Sequence, residues 1–183
     1  MRGLVIFADG FEDTEAVATI DVLKRAKLDL DYASLMDSLE INTQNGLKIL
    51  ANVFLKDIKP EDYNFIVIPG GAAVFKVLDK SELLTQFILD FADKEKLVAA
   101  ICAGPSQVGK LGLYKNNSYT CFPGTEEAIT AGKYLKNKGV VLSNHYITAK
   151  SMAYSIDFGL EIVEYLLGKE KRETVRKAVF AEE

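Results

Sequence analysis

The sequence predicts a doubly wound α/β fold, a mostly parallel sheet with helices on both faces, formed by one domain over residues 1–183. Three observations carry the prediction. Short β-rich runs alternate with segments of helical periodicity. The runs Phe65–Ile68 and Leu97–Ile101 are apolar at every position, as strands covered on both faces require. Glycine or another turn residue follows the runs closely, at Asp9-Gly10 and Pro69-Gly70-Gly71.

Each element follows in order. Leu4 to Ala8 reads as the first strand. Glu12 to Lys27 reads as a helix, with Ala16, Ile20, Leu23 and Ala26 near helical spacing. Asp31 to Leu35 looks like a second strand. Ile41 to Gln44 and Leu47 to Val53 read as a hairpin joined at Asn45-Gly46, a pair suited to a tight primed turn. After the strand at 65–68, Ser81 to Asp93 is a helix with Ser81 as its N-cap. After the strand at 97–101, a helix is expected from about Gly104 to Leu113. Tyr119 to Phe122 suggests a short strand, and Thr125-Glu126-Glu127 opens a short helix. Val140 to Ala149 gives one or two strands. Ser155 to Leu167 and Lys171 to Val179 are the last helices.

Composition narrows the function classes. The chain has 183 residues and a formal net charge of −4. A mildly acidic chain suits neither nucleic acid nor anionic lipid, which need a basic face. The densest basic run, Lys169 to Lys177, is interleaved with Glu170 and Glu173, the pattern of a solvated helix face. No apolar stretch reaches the ~20 residues that cross a bilayer, and the start of the chain lacks the pattern of a signal peptide. A cytoplasmic location is the expectation, with Cys102 and Cys121 reduced. These two cysteines and His145 cannot supply the four protein ligands of an ordinary structural zinc site.

In doubly wound folds chemistry collects at the carboxyl ends of the strands. That rule points to Asp9-Gly10, Pro69-Gly70-Gly71 and Cys102. Cys102 lies between an apolar strand and a helix start, with small Ala100 and Gly104 two residues to either side. That is the pattern of a nucleophile elbow with sulfur in place of oxygen. Pro105 suits an early helical position, and a thiol at a helix start is expected to have a lowered pKa. The bland alternative is a small buried hydrophobe, which is the better reading of Cys121.

Gly70 and Gly71 allow close backbone approach. With the N–H of Ala103 they could form an oxyanion hole beside Cys102, or simply a tight turn. Glu12 and Asp13 suit the first turn of a helix. Glu15 lies a turn further in, where burial would raise its pKa and let it donate to the Cys102 sulfur or move a proton. His145 reads as a turn residue remote from the site.

Taken together, Gly10 to Val17 (GFEDTEAV), Pro69-Gly70-Gly71, Ala100 to Pro105 (AICAGP) and Ile156 to Leu160 (IDFGL) resemble the ThiJ/PfpI superfamily. Within it the resemblance is to the parkinsonism-associated protein deglycase branch, including bacterial YajL-like members. It covers nearly the whole chain. It implies a flavodoxin-like sandwich, a homodimer, and no metal or organic cofactor. By position it implies Cys102 as the nucleophilic, oxidation-sensitive cysteine, Glu15 as its buried carboxyl partner, and the N–H groups of Gly71 and Ala103 as the lining of an anion pocket.

The activity so implied is a cysteine-dependent glyoxalase or deglycase acting on methylglyoxal or its adducts in stress protection. The alternative is a redox-sensing, chaperone-like protein using oxidation of Cys102. A cysteine peptidase or amidase is disfavoured, because the peptidase-like branch carries His directly after its cysteine and here that residue is Ala103. Phe122 stands where the deglycase branch often has a histidine, and Lys150-Ser151-Met152-Ala153 lacks the Gly-Pro-Gly of many relatives.

Overall fold

A computed structural model describes residues 1–182. The strands are β1 (Arg2–Phe7), β2 (Asp29–Ser34), β3 (Glu40–Asn42), β4 (Lys48–Leu50), β5 (Val53–Phe54), β6 (Phe65–Ile68), β7 (Leu97–Ile101), β8 (Ser118–Tyr119), β9 (Lys133–Tyr134), β10 (Val140–Ser143) and β11 (Tyr146–Ala149). The helices are α1 (Asp13–Arg25), α2 (Ala73–Lys76), α3 (Glu82–Asp93), α4 (Pro105–Gly109), α5 (Ser155–Leu167) and α6 (Lys169–Phe180).

A seven-stranded sheet runs in the order β10-β11-β7-β6-β1-β2-β5. It is parallel except for the hairpin of β10 and β11 at one edge. β1, β6 and β7 are its centre, and their apolar side chains are almost wholly buried, as both-face coverage demands. From β1 the chain moves outward to β2 in one direction and reaches β6 and β7 in the other. Right-handed crossovers of opposite direction put α1 and α3 on opposite faces. α1 packs on α5 so closely that a Cβ on Gly159 would stand 2.9 Å from Val22 Cβ. The reversal of direction between β1 and β6 is a topological switch point, where such sheets open a crevice at their carboxyl edge.

The doubly wound prediction holds, and most elements fall where the periodicity puts them. Ser81 caps α3 by accepting from Leu84 N. Three local expectations are corrected. The hairpin of β3 and β4 does not use a primed turn. Thr43 N donates to Leu47 O at 2.8 Å and Gly46 N to Thr43 O at 3.2 Å, and only Gly46 of the Asn-Gly pair has positive φ, at 87°. That is a three-residue loop with glycine in the left-handed position.

The helix expected to Leu113 stops at Gly109, because the chain tightens into i→i−3 turns at Leu111 and Gly112. Gly112 takes φ 76°, and Gly109 lies against Ile129, which would stand 2.6 Å from an added Cβ. The strand expected at Tyr119 to Phe122 is only β8. Its continuation finds other acceptors: Thr120 N donates to Thr148 Oγ1 at 2.9 Å and Phe122 N to Cys102 O at 2.8 Å. The short β5, β9 and α2 were not expected, since two to four residues carry no periodicity.

Candidate active site

The carboxyl ends of β1, β6 and β7 bring together the three turns singled out in the sequence. Phe11 and Gly71 form an isolated bridge, Glu12 N donates to Gly70 O at 3.2 Å, and Ala73 N donates to Gly10 O at 3.0 Å. The loops after β1 and β6 are thereby laced together beside the end of β7.

Cys102 has φ 62°. A left-handed conformation at a non-glycine residue is unfavourable and persists only where its surroundings hold it. Here Cys102 N donates to Ala149 O, Cys102 O accepts from Phe122 N, and Gly104 N donates to Ile101 O, each at 2.8 Å. The tightness of the turn fixes Gly104, whose added Cβ would lie 2.5 Å from Ile68 O. Pro105 opens α4, as expected. The tight strand–cysteine–helix turn read from the sequence is present.

Glu15 reaches the sulfur from α1. Its carboxyl is 1% exposed, accepts from Gly70 N at 2.8 Å and hydrogen-bonds Cys102. Glu12 is the N-cap of α1, its carboxylate accepting from Glu15 N at 2.7 Å. Asp13 turns away to hold the β3–β4 loop through Thr43 and Asn45. Burial alone would raise the Asp13 carboxyl, but these hydrogen bonds hold it below the ordinary value.

The electrostatics correct one expectation. The start of a five-residue helix does not by itself lower the Cys102 thiol. Burial, then the charge and hydrogen bond of Glu15, push it up, opposed by N–H groups of Ala103 and Gly71. Glu15 is pushed up to about 7, by burial first. Burial comes first for both groups; the charge of Glu15 adds to it at Cys102, while the hydrogen bonds of Cys102 and Gly70 oppose it at Glu15.

Gly70 is also reassigned. Its N–H is spent on Glu15, so the sulfur-facing donors are those of Gly71 and Ala103 alone. Gly70 still shapes the site, since its added Cβ would lie 2.7 Å from Glu15 Oε2 and 2.8 Å from Cys102 Cβ. Gly71, at φ 89°, would bring a Cβ within 2.5 Å of Glu12 N. The remaining candidates behave as read. Cys121 is buried and hydrogen-bonded to Thr125 and Tyr134. His145 lies in the β10–β11 turn against Tyr146, at the start of β7 rather than its end, so it forms no dyad with Cys102.

Cys102 opens into a cleft of about 890 Å³. Its walls include Phe75, Phe122, Met152 and Ala128, with Gln44 and Glu127 at polar positions. Phe75, Gln44 and Glu127 were not legible as site residues, because α2, the β3–β4 loop and the turn at Thr125–Ala128 bring them from separate segments with no motif of their own. Among the described residues no cluster of His, Cys, Asp and Glu could hold a metal ion. No helix is long and apolar enough to cross a membrane.

Comparison with known proteins shows the family and the fold. A family model described as the DJ-1/PfpI family matches residues 1–165. Protein DJ-1 homolog B of Arabidopsis thaliana is 37% identical over 176 residues, 96% of this chain, and the chain spans 40% of that longer protein. Glutathione-independent glyoxalase DJR-1.2 of Caenorhabditis elegans is 33% identical over 168 residues, covering 91% of this chain and 88% of that protein. Among solved structures, oxidized Toxoplasma gondii DJ-1 superposes with a TM-score of 0.89 at 28% identity, covering 99% of this chain and 98% of that one.

Proposed function

The chain belongs to the DJ-1/PfpI family, and from that premise we propose that it is a cysteine-dependent enzyme acting on reactive carbonyls, a glyoxalase or deglycase of stress protection. The observation that carries the reading is the buried Glu15 carboxyl, bonded at once to Gly70 N and to the Cys102 sulfur. A carboxyl titrating near 7 can give and take protons at neutral pH. The similarity to a named glyoxalase supports the reaction class.

The mechanism follows from the geometry. With the shared proton on Glu15, Cys102 is a thiolate held by the Gly71 and Ala103 N–H groups. Its sulfur adds to the aldehyde carbon of methylglyoxal, and the carbonyl π electrons move to oxygen. Glu15 gives that oxygen its proton, forming a hemithioacetal, while the backbone donors stand beside the developing charge. The ionised Glu15 then takes the proton from the former aldehyde carbon, and the electron pair passes to the ketone oxygen as an enediolate. The hydroxyl proton moves from the first oxygen to the second, and the return of the Glu15 proton to the neighbouring carbon leaves a thioester with a hydroxyl beside it. Water cleaves the thioester to lactic acid and restores the thiol. No cofactor is needed, since no electrons leave the substrate. A glycated adduct would enter through the same first addition.

The test is lactic acid formation from methylglyoxal by the wild-type chain and by Cys102→Ala. Abolition in the variant is expected, and unchanged formation would sink the proposal. A second reading has its own support: the three groups that surround the sulfur could equally hold the oxygens of a Cys102 sulfinic acid, and a structural relative is described as oxidized. Intact mass after mild peroxide tests it, with an increase of two oxygens on Cys102 expected. A homodimer in the cytoplasm completes the proposal, and sedimentation checks the dimer.

A further inference from the structure

Resting on the reading of the Cys102 cleft as the substrate site, we propose that this cleft selects by charge: it admits neutral and cationic carbonyl compounds, excludes anionic ones, and owes much of that discrimination to Glu127. Four acids line the cleft, Glu12, Glu15, Asp79 and Glu127, and no Lys or Arg does. Two of the acids are already engaged. Asp79 accepts from Gln107 Nε2 at 2.7 Å and Lys110 Nζ at 3.0 Å, and Glu12 caps α1. Glu127 is exposed on the turn at Thr125–Ala128 and has no ion pair among the described residues, so its charge faces whatever enters.

Most of the donors nearest the sulfur are already engaged. The Gly71 and Ala103 amides serve the Cys102 sulfur, and the Gly70 amide serves Glu15. The Ser106 hydroxyl donates to Ala103 O and the Thr125 hydroxyl to Phe122 O. Of the nearby cations, Lys110 is held by Asp79 and Gln107 and Lys150 by Lys136 O, while Lys76 and Lys80 lie outside the lining. A carboxylate or phosphate group would therefore meet like charge and no counter-charge, between the apolar walls of Phe75, Phe122 and Met152, which weaken solvent screening. An amino or guanidino group would meet the opposite field. Carbonyl compounds borne on basic groups, and small neutral dicarbonyls, fit; 2-oxo acids and phosphorylated aldehydes do not.

The test needs no turnover. Two methanethiosulfonates of similar size, one carrying trimethylammonium and one sulfonate, are reacted with the intact protein. Cys102 modification is followed by peptide mass, and each rate is divided by the rate of the same reagent with 2-mercaptoethanol. At low salt the corrected rates are expected to differ about tenfold in favour of the cation. The ratio should fall towards one in 1 M salt, where the Debye length is about 3 Å. It should fall in Glu127→Gln and fall further in Glu127→Lys.

A low-salt ratio near one, or one that neither substitution moves, overturns the inference. Failure to convert methylglyoxal with the ratio intact would remove the proposed reaction and leave charge selection standing. Conversion with a ratio of one would do the reverse. Modification of Cys102 by neither reagent would remove both.

Discussion

Glu15 and Cys102 share one hydrogen bond inside a space so small that a single methyl group on Gly70 would press on both. Burial raises the affinity of both for a proton; the charge of Glu15 adds to that effect at Cys102, while the Cys102 hydrogen bond opposes it at Glu15. The pair gives up its first proton near 7 and holds the second far more tightly. The proton that stays is shared, and when it lies on Glu15 the sulfur is a thiolate that accepts from Gly71 and Ala103.

Cys102 reactivity should follow that first proton. Its alkylation rate is expected to change with pH through the titration of Glu15 near 7, where the carboxylate charge that opposes the thiolate appears. In Glu15→Gln that dependence near 7 should be lost and the thiol should titrate lower, because the amide carries no charge to oppose the thiolate. Iodoacetamide labelling against pH, with peptide mass to assign the site, measures both. A midpoint unmoved by the substitution would mean that the two groups titrate independently.

The same pair should leave a mark on stability. The Glu15 carboxyl goes from 4.5 when unfolded to about 7 when folded. Between those values the folded chain binds the extra proton, so this group's contribution falls as pH rises. It is fully favourable below about 4.5 and lost once pH passes about 7. The difference corresponds to about 3 kcal/mol at about 1.36 kcal/mol for each tenfold in acidity. Urea unfolding of wild type and Glu15→Gln at about pH 4.5 and pH 8 isolates it: the variant should gain on the wild type at the higher pH. A gap independent of pH would show that Glu15 is not held protonated by the fold.

Two glycines should fail in different ways. In Gly104→Ala the new methyl meets backbone, Ile68 O at 2.5 Å and Ile101 O at 2.9 Å, which cannot swing aside. We expect about 2–3 kcal/mol of destabilisation, the upper range of overpacking. In Gly70→Ala the methyl meets Glu15 Oε2 at 2.7 Å and Cys102 Cβ at 2.8 Å. Stability should fall less, by about 1–2 kcal/mol, while Cys102 alkylation at neutral pH drops as Glu15 is displaced. Urea midpoints and labelling rates on both variants separate the effects. Equal reactivity in Gly70→Ala and wild type would show that Glu15 placement does not govern the sulfur.

The sheet and the elbow were legible because both are written locally. Phe65–Ile68 and Leu97–Ile101 are apolar throughout, and Ala100, Cys102 and Gly104 carry the spacing of a tight turn within five residues. The Glu15–Cys102 contact was legible only as a position along a helix that would face the right edge. What the sequence could not disclose was competition over distance. Gly70 N was expected to face a ligand, but Glu15 claims it from 55 residues away. The Cys102 thiol was expected to fall at a helix start, but burial and Glu15 outweigh a helix of five residues. Phe75, Gln44 and Glu127 meet in the cleft only because α2, the β3–β4 loop and the turn at Thr125–Ala128 converge there.

Phe122 offers the last test of the proposed chemistry. It lines the cleft and is 48% exposed. Its backbone N–H is fixed on Cys102 O at 2.8 Å, so a new side chain there keeps its place beside the sulfur. The proposed reaction moves a proton between two neighbouring carbons, and Glu15 is the one group at the sulfur able to do so near neutral pH. Phe122→His would add a second group that titrates in the same range, with the expected gain of general acid–base catalysis. If proton transfer limits turnover, lactic acid formation from methylglyoxal should rise about tenfold or more, well below the full range of about 10²–10⁴ open to such catalysis. The gain should appear in kcat rather than KM, and it should vanish when Cys102 is also replaced by alanine. A rise in KM alone, with kcat unchanged, would show that proton movement is not the slow step and that Glu15 suffices for it.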